Sequence, residues 1–320
     1  MWNYLELEQI PLGHIPSKPM DISQLNQDFG IPGSLSFSEK VSGFPLIEIT
    51  NDCATALISL YGGHVMAFKP VGAAQDLLYF SDSAVFKMGK ALRGGIPICW
   101  PWFGGHPTET SKPSHGVARN MMWQVSSTET TTTGATRVIL TLTDTPDTRQ
   151  VWDYGFELAI AITVGTTLDL ELITRNTGEK AFEITQALHT YFNIGDVQQV
   201  KVLGLDGCNY IDKVDGEQVK TQLGEVAIAA EVDRVYMGAP TELTVADPAL
   251  GRKIRITSKN STTAIVWNPW IDKAIAMGDL GDNDYQRMIC VETANAAQEI
   301  ITVQPQSDFR LGVSYSSENL

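Results

Sequence analysis

Leu168-Asp-Leu-Glu-Leu-Ile173 alternates leucine with acid, so in an extended chain the leucines share one pleat face and the carboxylates the other. Upstream, Leu158-Ala-Ile-Ala-Ile162 is a strand-sized apolar run, and Asn176-Thr-Gly downstream is a turn signal. The pattern continues outward in both directions. Toward the amino end, strands are expected at Thr55–Leu60, Met122–Ser126, Arg137–Thr143 and Phe156–Val164, with Thr167–Thr174 containing the alternation itself. Toward the carboxyl end they are expected at Glu183–Phe192, Lys201–Leu205, Glu242–Ala246, Lys253–Thr257, Ala264–Trp267, Met288–Glu292, Glu299–Val303 and Phe309–Tyr315. Asp206-Gly and Asp215-Gly mark further turns, and the threonine run Thr130–Thr133 reads as the flank of a polar hairpin. No long stretch carries a 3.6-residue period with caps at both ends. Many short strands with so little helix predict an all-β sandwich or barrel.

No linker divides the 320 residues, so one domain is expected over 1–320, with the Pro/Gly-punctuated stretch 1–38 an extension packed on it. Apolar residues at 43% supply a core large enough to need neither disulfide nor structural metal. Thirty-seven acids against 23 Lys and Arg give a net charge of −14, which argues against nucleic acid as a partner. No apolar run approaches the roughly 18 residues of a membrane-spanning helix. The opening Met1-Trp-Asn-Tyr-Leu-Glu-Leu-Glu lacks the basic and apolar regions of a signal peptide. Four widely spaced cysteines form no C-x-x-C pair, so the expectation is a cytoplasmic, thiol-reduced protein, working as a monomer. There is no Walker loop, dinucleotide fingerprint, H-E-x-x-H helix or G-x-S-x-G elbow, and the five histidines show no paired metal-ligand spacing.

Charge is distributed unevenly. Between Ser83 and Thr128, Lys87, Lys90, Arg93, Lys112 and Arg119 face Glu109 alone, a net of +4 within an acidic chain. That window holds Arg93-Gly-Gly-Ile-Pro97, a Trp100-Pro-Trp-Phe-Gly stretch, and Ser114-His-Gly-Val-Ala-Arg-Asn120. Glycines beside an arginine let backbone N–H groups and a guanidinium approach an anion together, while aromatics can stack on the apolar face of a ligand. The same residues are also those of an ordinary β-turn with solvated arginines.

In their order along the chain these motifs strongly resemble the aldose 1-epimerase (mutarotase) superfamily, and within it the glucose-6-phosphate 1-epimerase branch. Leu188-His-Thr-Tyr-Phe192 is similar to the strand bearing that family's general acid, and Cys290-Val-Glu-Thr-Ala-Asn295 to the segment bearing its general base. Asp233-Arg-Val-Tyr236 and Val266-Trp-Asn-Pro-Trp270 match in kind and order, so the resemblance runs from about Phe44 to the carboxyl end. It implies a large antiparallel β-supersandwich of the galactose mutarotase type. It also implies an isomerase that interconverts the anomers of a hexose 6-phosphate, with a phosphosugar as its small-molecule partner and no cofactor or metal.

The resemblance assigns His189 as acid, Glu292 as base, and Arg93, His115, Arg119, Asp233 and Trp267 as substrate-binding residues. Read by themselves, several have ordinary alternatives. His189 could be a satisfied core histidine, and Glu292 a strand-end acid facing solvent. Arg119 could be salt-bridged to a neighbouring acid, Asp233 paired with Arg234, and Trp267 mere packing. Arg93 is the favoured phosphate ligand because Gly94 and Gly95 clear space beside it, with Lys87 or Lys90 adding to the approach field. Trp267, Asn268 and Trp270 are candidates to wall the pocket, and His64 is expected to be structural. Ring opening needs a proton removed from O1 and one delivered to O5. The expectation is therefore an ionised Glu292 and a charged His189, on opposite sides of the pyranose, with the carboxylate holding the imidazole protonated. Two other functions fit parts of the pattern: a mutarotase of unphosphorylated aldoses, and a β-sandwich that binds carbohydrate without chemistry.

Overall fold

The structure, a computed structural model, describes residues 21–320; the first twenty residues of the expected extension, His14 among them, lie outside the described residues. Leu168, Leu170 and Leu172 are buried, while Asp169 and Glu171 between them are only half-buried. Their strand, Leu168–Asn176, lies between Phe156–Val164 and Asp308–Asn319, in register with both. These three belong to an antiparallel sheet of nine strands whose other members include Gln124–Thr130 and Thr136–Thr143 on one side and Arg252–Lys259 and Glu242–Asp247 on the other. The threonine run sits at the turn of the hairpin joining Gln124–Thr130 to Thr136–Thr143, closed by Thr131 N–H donating to Ala135 O.

A second sheet, of eight strands, runs in the order Gln218–Thr221, Asn209–Asp212, Val232–Met237, Thr263–Asn268, Met288–Asn295, Gln186–Leu188 and Ile98–Cys99. Tyr191–Asn193 joins it on Met288–Asn295. One face packs against the nine-stranded sheet. Thr190 and Tyr315 share a hydroxyl–hydroxyl hydrogen bond of 2.5 Å, Ser258 bonds Thr293 at 2.8 Å, and the rings of Phe192 and Tyr315 meet edge to face at 5.3 Å. The other face carries the candidate site. A four-stranded meander, Leu35–Val41, Phe44–Thr50, Ala54–Ser59 and His64–Pro70, forms a further sheet. Asn51 ties it to the larger sheet through Thr136 Oγ1 and Val164 O, both at 2.9 Å.

Three expected segments differ in detail. Within the stretch expected to be irregular up to residue 38, Ile22–Phe29 is a helix capped by Asp21, and Leu35–Val41 is a paired strand. Asn26 joins the two, donating to Phe37 O and accepting from Phe37 N–H. The expected strand Met288–Glu292 continues to Asn295 with all eight residues buried. Glu183–Phe192 is broken into Phe182–Ile184, Gln186–Leu188 and Tyr191–Asn193. Its first piece pairs with Ile301–Val303 in a separate two-stranded sheet. At the second break His189 and Thr190 leave the ladder, and His189 N–H donates to Pro97 O.

The buried leucine face makes a direct prediction. Leu172→Ala should cost about 2–5 kcal/mol of unfolding free energy, the usual toll of a large core truncation. Glu171→Gln, on the opposite pleat face and paired only loosely with Arg310 at 3.4 Å, should cost under about 1 kcal/mol. Urea titrations of both variants measure this, and equal losses would mean that the alternation does not mark the core.

Candidate active site

Strand register aligns the site. Asp233 lies opposite Trp267, Trp267 opposite Cys290, and Cys290 opposite Tyr191, so four strands present these side chains on one face of the sheet. Glu292, two residues beyond Cys290, shares that face. His189 sits in the break between Gln186–Leu188 and Tyr191–Asn193, beside Glu292. Its Nε2 is 3.5 Å from Glu292 Oε1, and both side chains are almost fully buried. Glu292 is therefore a buried mid-strand residue, and the alternative of a strand-end acid facing solvent is not realised. His189 Nδ1 and Glu292 Oε2 have no hydrogen-bond partner among the described residues. Buried polar atoms rarely stay unpaired, and two of them on one acid–base pair point to a polar ligand.

Protonation differs from the expectation. Burial, followed by the fields of His115, Arg119 and Arg93, holds His189 well below the ordinary histidine range and so disfavours the charged imidazole. Burial, aided by the Asp233 carboxylate, lifts Glu292 well above the usual carboxylate range, while Arg119 acts in the opposite sense. The contact between the pair, longer than a good hydrogen bond, does not offset these costs. The two groups also face each other too closely for a sugar ring to pass between them, so they address a ligand from one edge.

His115 adopts a left-handed φ of 62°, uncommon away from glycine. Its backbone N–H donates to Gly104 O at 2.6 Å, and its Nδ1 accepts from Gly104 N–H at 3.2 Å. The ring proton therefore sits on Nε2, a donor. Burial, with Arg119 and Arg93, drives its pKa down to about 3. Phe103 at 4.9 Å and His189 at 5.7 Å flank the ring edge to face. Arg119, in the 3-10 turn Ala118–Asn120, donates to Ser114 O at 2.8 Å and leaves a buried Nε unpartnered. It forms no ion pair among the described residues, so the salt-bridged alternative is not realised. Asp233 and Arg234 alternate across their strand: Arg234 lies over the Tyr210 ring at 4.8 Å and bonds Gln222, leaving Asp233 on the site face with its pKa raised by burial. Trp267 meets His189 and Tyr191 edge-on at 6.0 and 5.9 Å. Asn268 instead pins the chain, donating to Tyr285 O and Met288 O, and Trp270 packs on Tyr285.

Arg93 departs most from the expectation. Its Nε and Nη2 form a two-pronged pair with Asp279, both bonds 3.2 Å, and its Nη1 donates to the Tyr191 hydroxyl at 2.7 Å. Gly94 and Gly95 do not clear space for an anion. A Cβ on Gly94 would lie 2.5 Å from Phe80 Cα, and one on Gly95 would lie 2.2 Å from Val65 O, so these residues let three segments pack tightly. Lys90 and Arg93 line a cleft together with Val85, Met277 and Asp279. Lys112 is paired with Glu109 at 2.7 Å and adds little to the positive field. His64 is structural: its Nε2 contacts Gly94 O at 2.7 Å, and burial lowers its pKa to about 4. Tyr191 and Asp279 carried no signal in the sequence beyond a place inside, or near, a matched motif.

The aldose 1-epimerase family model matches residues 45–316. A relative from Cenchrus ciliaris is 36% identical over 276 residues, covering 83% of this chain and 82% of the relative. One from Escherichia coli K12 is 37% identical over 261 residues, covering 81% and 86% respectively. Both carry the name "Putative glucose-6-phosphate 1-epimerase". Among solved structures, a "putative mutarotase (YeaD)" from Salmonella typhimurium superposes with a TM-score of 0.85 at 32% identity, covering 91% of this chain and 96% of that one. A galactose mutarotase related enzyme from Lactobacillus acidophilus shares the fold at 12% identity, with a TM-score of 0.69 over 86% of this chain and 97% of its own.

The neutral, buried histidines link stability to pH. For a histidine whose folded pKa lies below the unfolded value of about 6.5, stability is complete above that value and is lost as pH falls toward the folded one. His64, at about 4, should contribute a loss of about 2–3 kcal/mol between pH 6.5 and 4.5. Urea midpoints at the two pH values should therefore fall less in His64→Asn than in the parent chain. Parallel losses would place the titration elsewhere.

Proposed function

This chain belongs to the aldose 1-epimerase family, and from that membership we propose that it interconverts the α and β anomers of glucose 6-phosphate by acid–base ring opening and closure. The observation that carries the reading is the buried His189–Glu292 pair with its two unpartnered atoms, flanked by Arg119. O1 and O5 of a pyranose are both bonded to C1, so two groups lying side by side reach both atoms from one edge.

The pair has a useful proton inventory. Protonated Glu292 with neutral His189 holds as many protons as ionised Glu292 with charged His189. Burial favours the first form. Sugar hydroxyls that bond Glu292 Oε2 and His189 Nδ1 supply the polar partners that the charged form needs, and the proton then crosses to the imidazole. Glu292 takes the O1 proton as His189 protonates O5; the C1–O5 bond breaks and the aldehyde forms. This step removes the two charges that burial penalises. Rotation about C1–C2 and the reverse transfers close the ring on either face. His115 Nε2–H, Asp233 and Arg119 hold the ring hydroxyls, with Trp267 against its apolar side.

The phosphate belongs to the cleft where Arg93 and Lys90 meet, since a chain of net −14 otherwise repels a phosphosugar. One observation favours the neutral-sugar reading instead: Arg93 is already paired with Asp279. A binding module without chemistry would have no use for a buried acid–base pair.

His189→Ala and Glu292→Gln should each slow anomeric exchange by roughly 10²–10⁴ with the fold intact, as measured by NMR exchange spectroscopy. The double variant should fall well short of the product, because the two act as a unit. Unchanged exchange in either folded variant would remove the assignment. Arg93→Ala should weaken glucose 6-phosphate binding by about 1.5–3 kcal/mol and lower turnover of glucose far less. Equal losses on both sugars would favour the unphosphorylated substrate.

A further inference from the structure

Tyr191 touches both ends of the site. Its ring stacks on the His189 imidazole, with centroids 4.9 Å apart and planes 10° from parallel. Its hydroxyl oxygen accepts from Arg93 Nη1 at 2.7 Å. Its backbone is pinned on both sides: Tyr191 N–H donates to Gly95 O at 2.9 Å, and Tyr191 O accepts from Tyr79 N–H at 3.0 Å. The side chain is 1% exposed, so it has no freedom to follow a mobile partner.

Arg93 is thus gripped from two directions, by Asp279 on the Nε–Nη2 edge and by Tyr191 at Nη1. A guanidinium carries five N–H donors in a fixed plane, so two remain, one on each terminal nitrogen. Asp279 offsets the arginine's charge. What this residue offers an anion is therefore the direction of its two spare donors, and direction is what a rigid acceptor on Nη1 supplies. The phenolic proton of Tyr191 is itself uncommitted.

We propose that Tyr191 is a specificity-determining positioning residue, whose hydroxyl aims the free donors of Arg93 at the phosphate of the substrate. The inference rests on the phosphosugar reading above. It assigns Tyr191 to recognition of the C6 end, acting through Arg93, while bond breaking at C1 stays with His189 and Glu292.

Tyr191→Phe keeps the ring and its stack on His189 and removes the hydroxyl, the acceptor for Arg93 Nη1 included. Its Michaelis constant for glucose 6-phosphate should rise about tenfold with kcat within about threefold, the effect of losing one charge-assisted hydrogen bond. The ratio of kcat/KM for glucose 6-phosphate to that for glucose should fall about tenfold with it. In an Arg93→Ala background the same change should leave that ratio where Arg93→Ala alone puts it, as required of a residue that acts through another. Arg93→Lys replaces Arg93→Ala if the latter fails to fold. A Tyr191→Phe ratio within about twofold of the parent's overturns the inference, and so does an effect that persists undiminished without Arg93. The parent's own preference separates the two levels. No preference for the phosphorylated sugar removes the phosphosugar reading and this inference together, whereas a preference that Tyr191→Phe leaves undiminished removes this inference alone.

Discussion

A carboxylate in the middle of a wholly buried strand is the constraint around which the rest of this protein is arranged. Every residue of Met288–Asn295 is buried, and Glu292 occupies its centre. Burial keeps water from solvating a charge there, and the described residues offer Oε2 no hydrogen-bond partner. Arg119 supplies the opposing field, itself with a buried donor left free. His189 reaches the carboxylate only because the chain breaks its ladder at residues 189–190, between two short strands that pair with the same neighbour. Sheet geometry and site chemistry are therefore one problem here: the break that costs ladder hydrogen bonds is the break that aims the imidazole.

Much of the fold was legible because period-2 patterning is local. Leu168-Asp-Leu-Glu-Leu-Ile173 identifies its own buried face without help from any other segment. The short strands Asn209–Asp212 and Gln218–Thr221 escaped, since so few residues carry too little pattern to separate them from a turn. The site was legible through motifs, and less so through physics. His189 and Glu292 stand out only once their segments are matched to a family. That burial weighs against the charged form of each could not be read from the sequence, because the segments that enclose them are distant along the chain. The Arg93–Asp279 pair joins residues 186 positions apart, a distance across which sequence spacing carries no information. The role of Gly94 and Gly95 failed for the same reason: what fills the space beside them is backbone from the segments around Val65 and Phe80.

The local positive window also looks different once its members are followed to their partners. Lys112 and Glu109 cancel across one turn, and Arg93 is offset by Asp279. Arg119 forms no ion pair among the described residues and keeps a buried Nε without a hydrogen-bond partner among them. A window charge counted from sequence thus measures how many cations are nearby, whereas the number that act depends on which have already found carboxylates.

The row Asp233, Trp267, Cys290 and Tyr191 draws one residue from each of four strands, and Arg93 and His115 arrive from a fifth region far earlier in the chain. Such an arrangement has a high contact order: most of its neighbours are long-range, and loop closure must be completed before any of them meet. Hairpins such as Phe156–Val164 with Leu168–Asn176 can form early and bury their own apolar face. The cluster of Asp233, Trp267, Glu292 and His189 cannot assemble until the strands that carry it have paired in the eight-stranded sheet. Catalytic competence is therefore among the last properties this chain acquires as it folds, and regain of turnover reports completion of that sheet where recovery of β-structure alone does not.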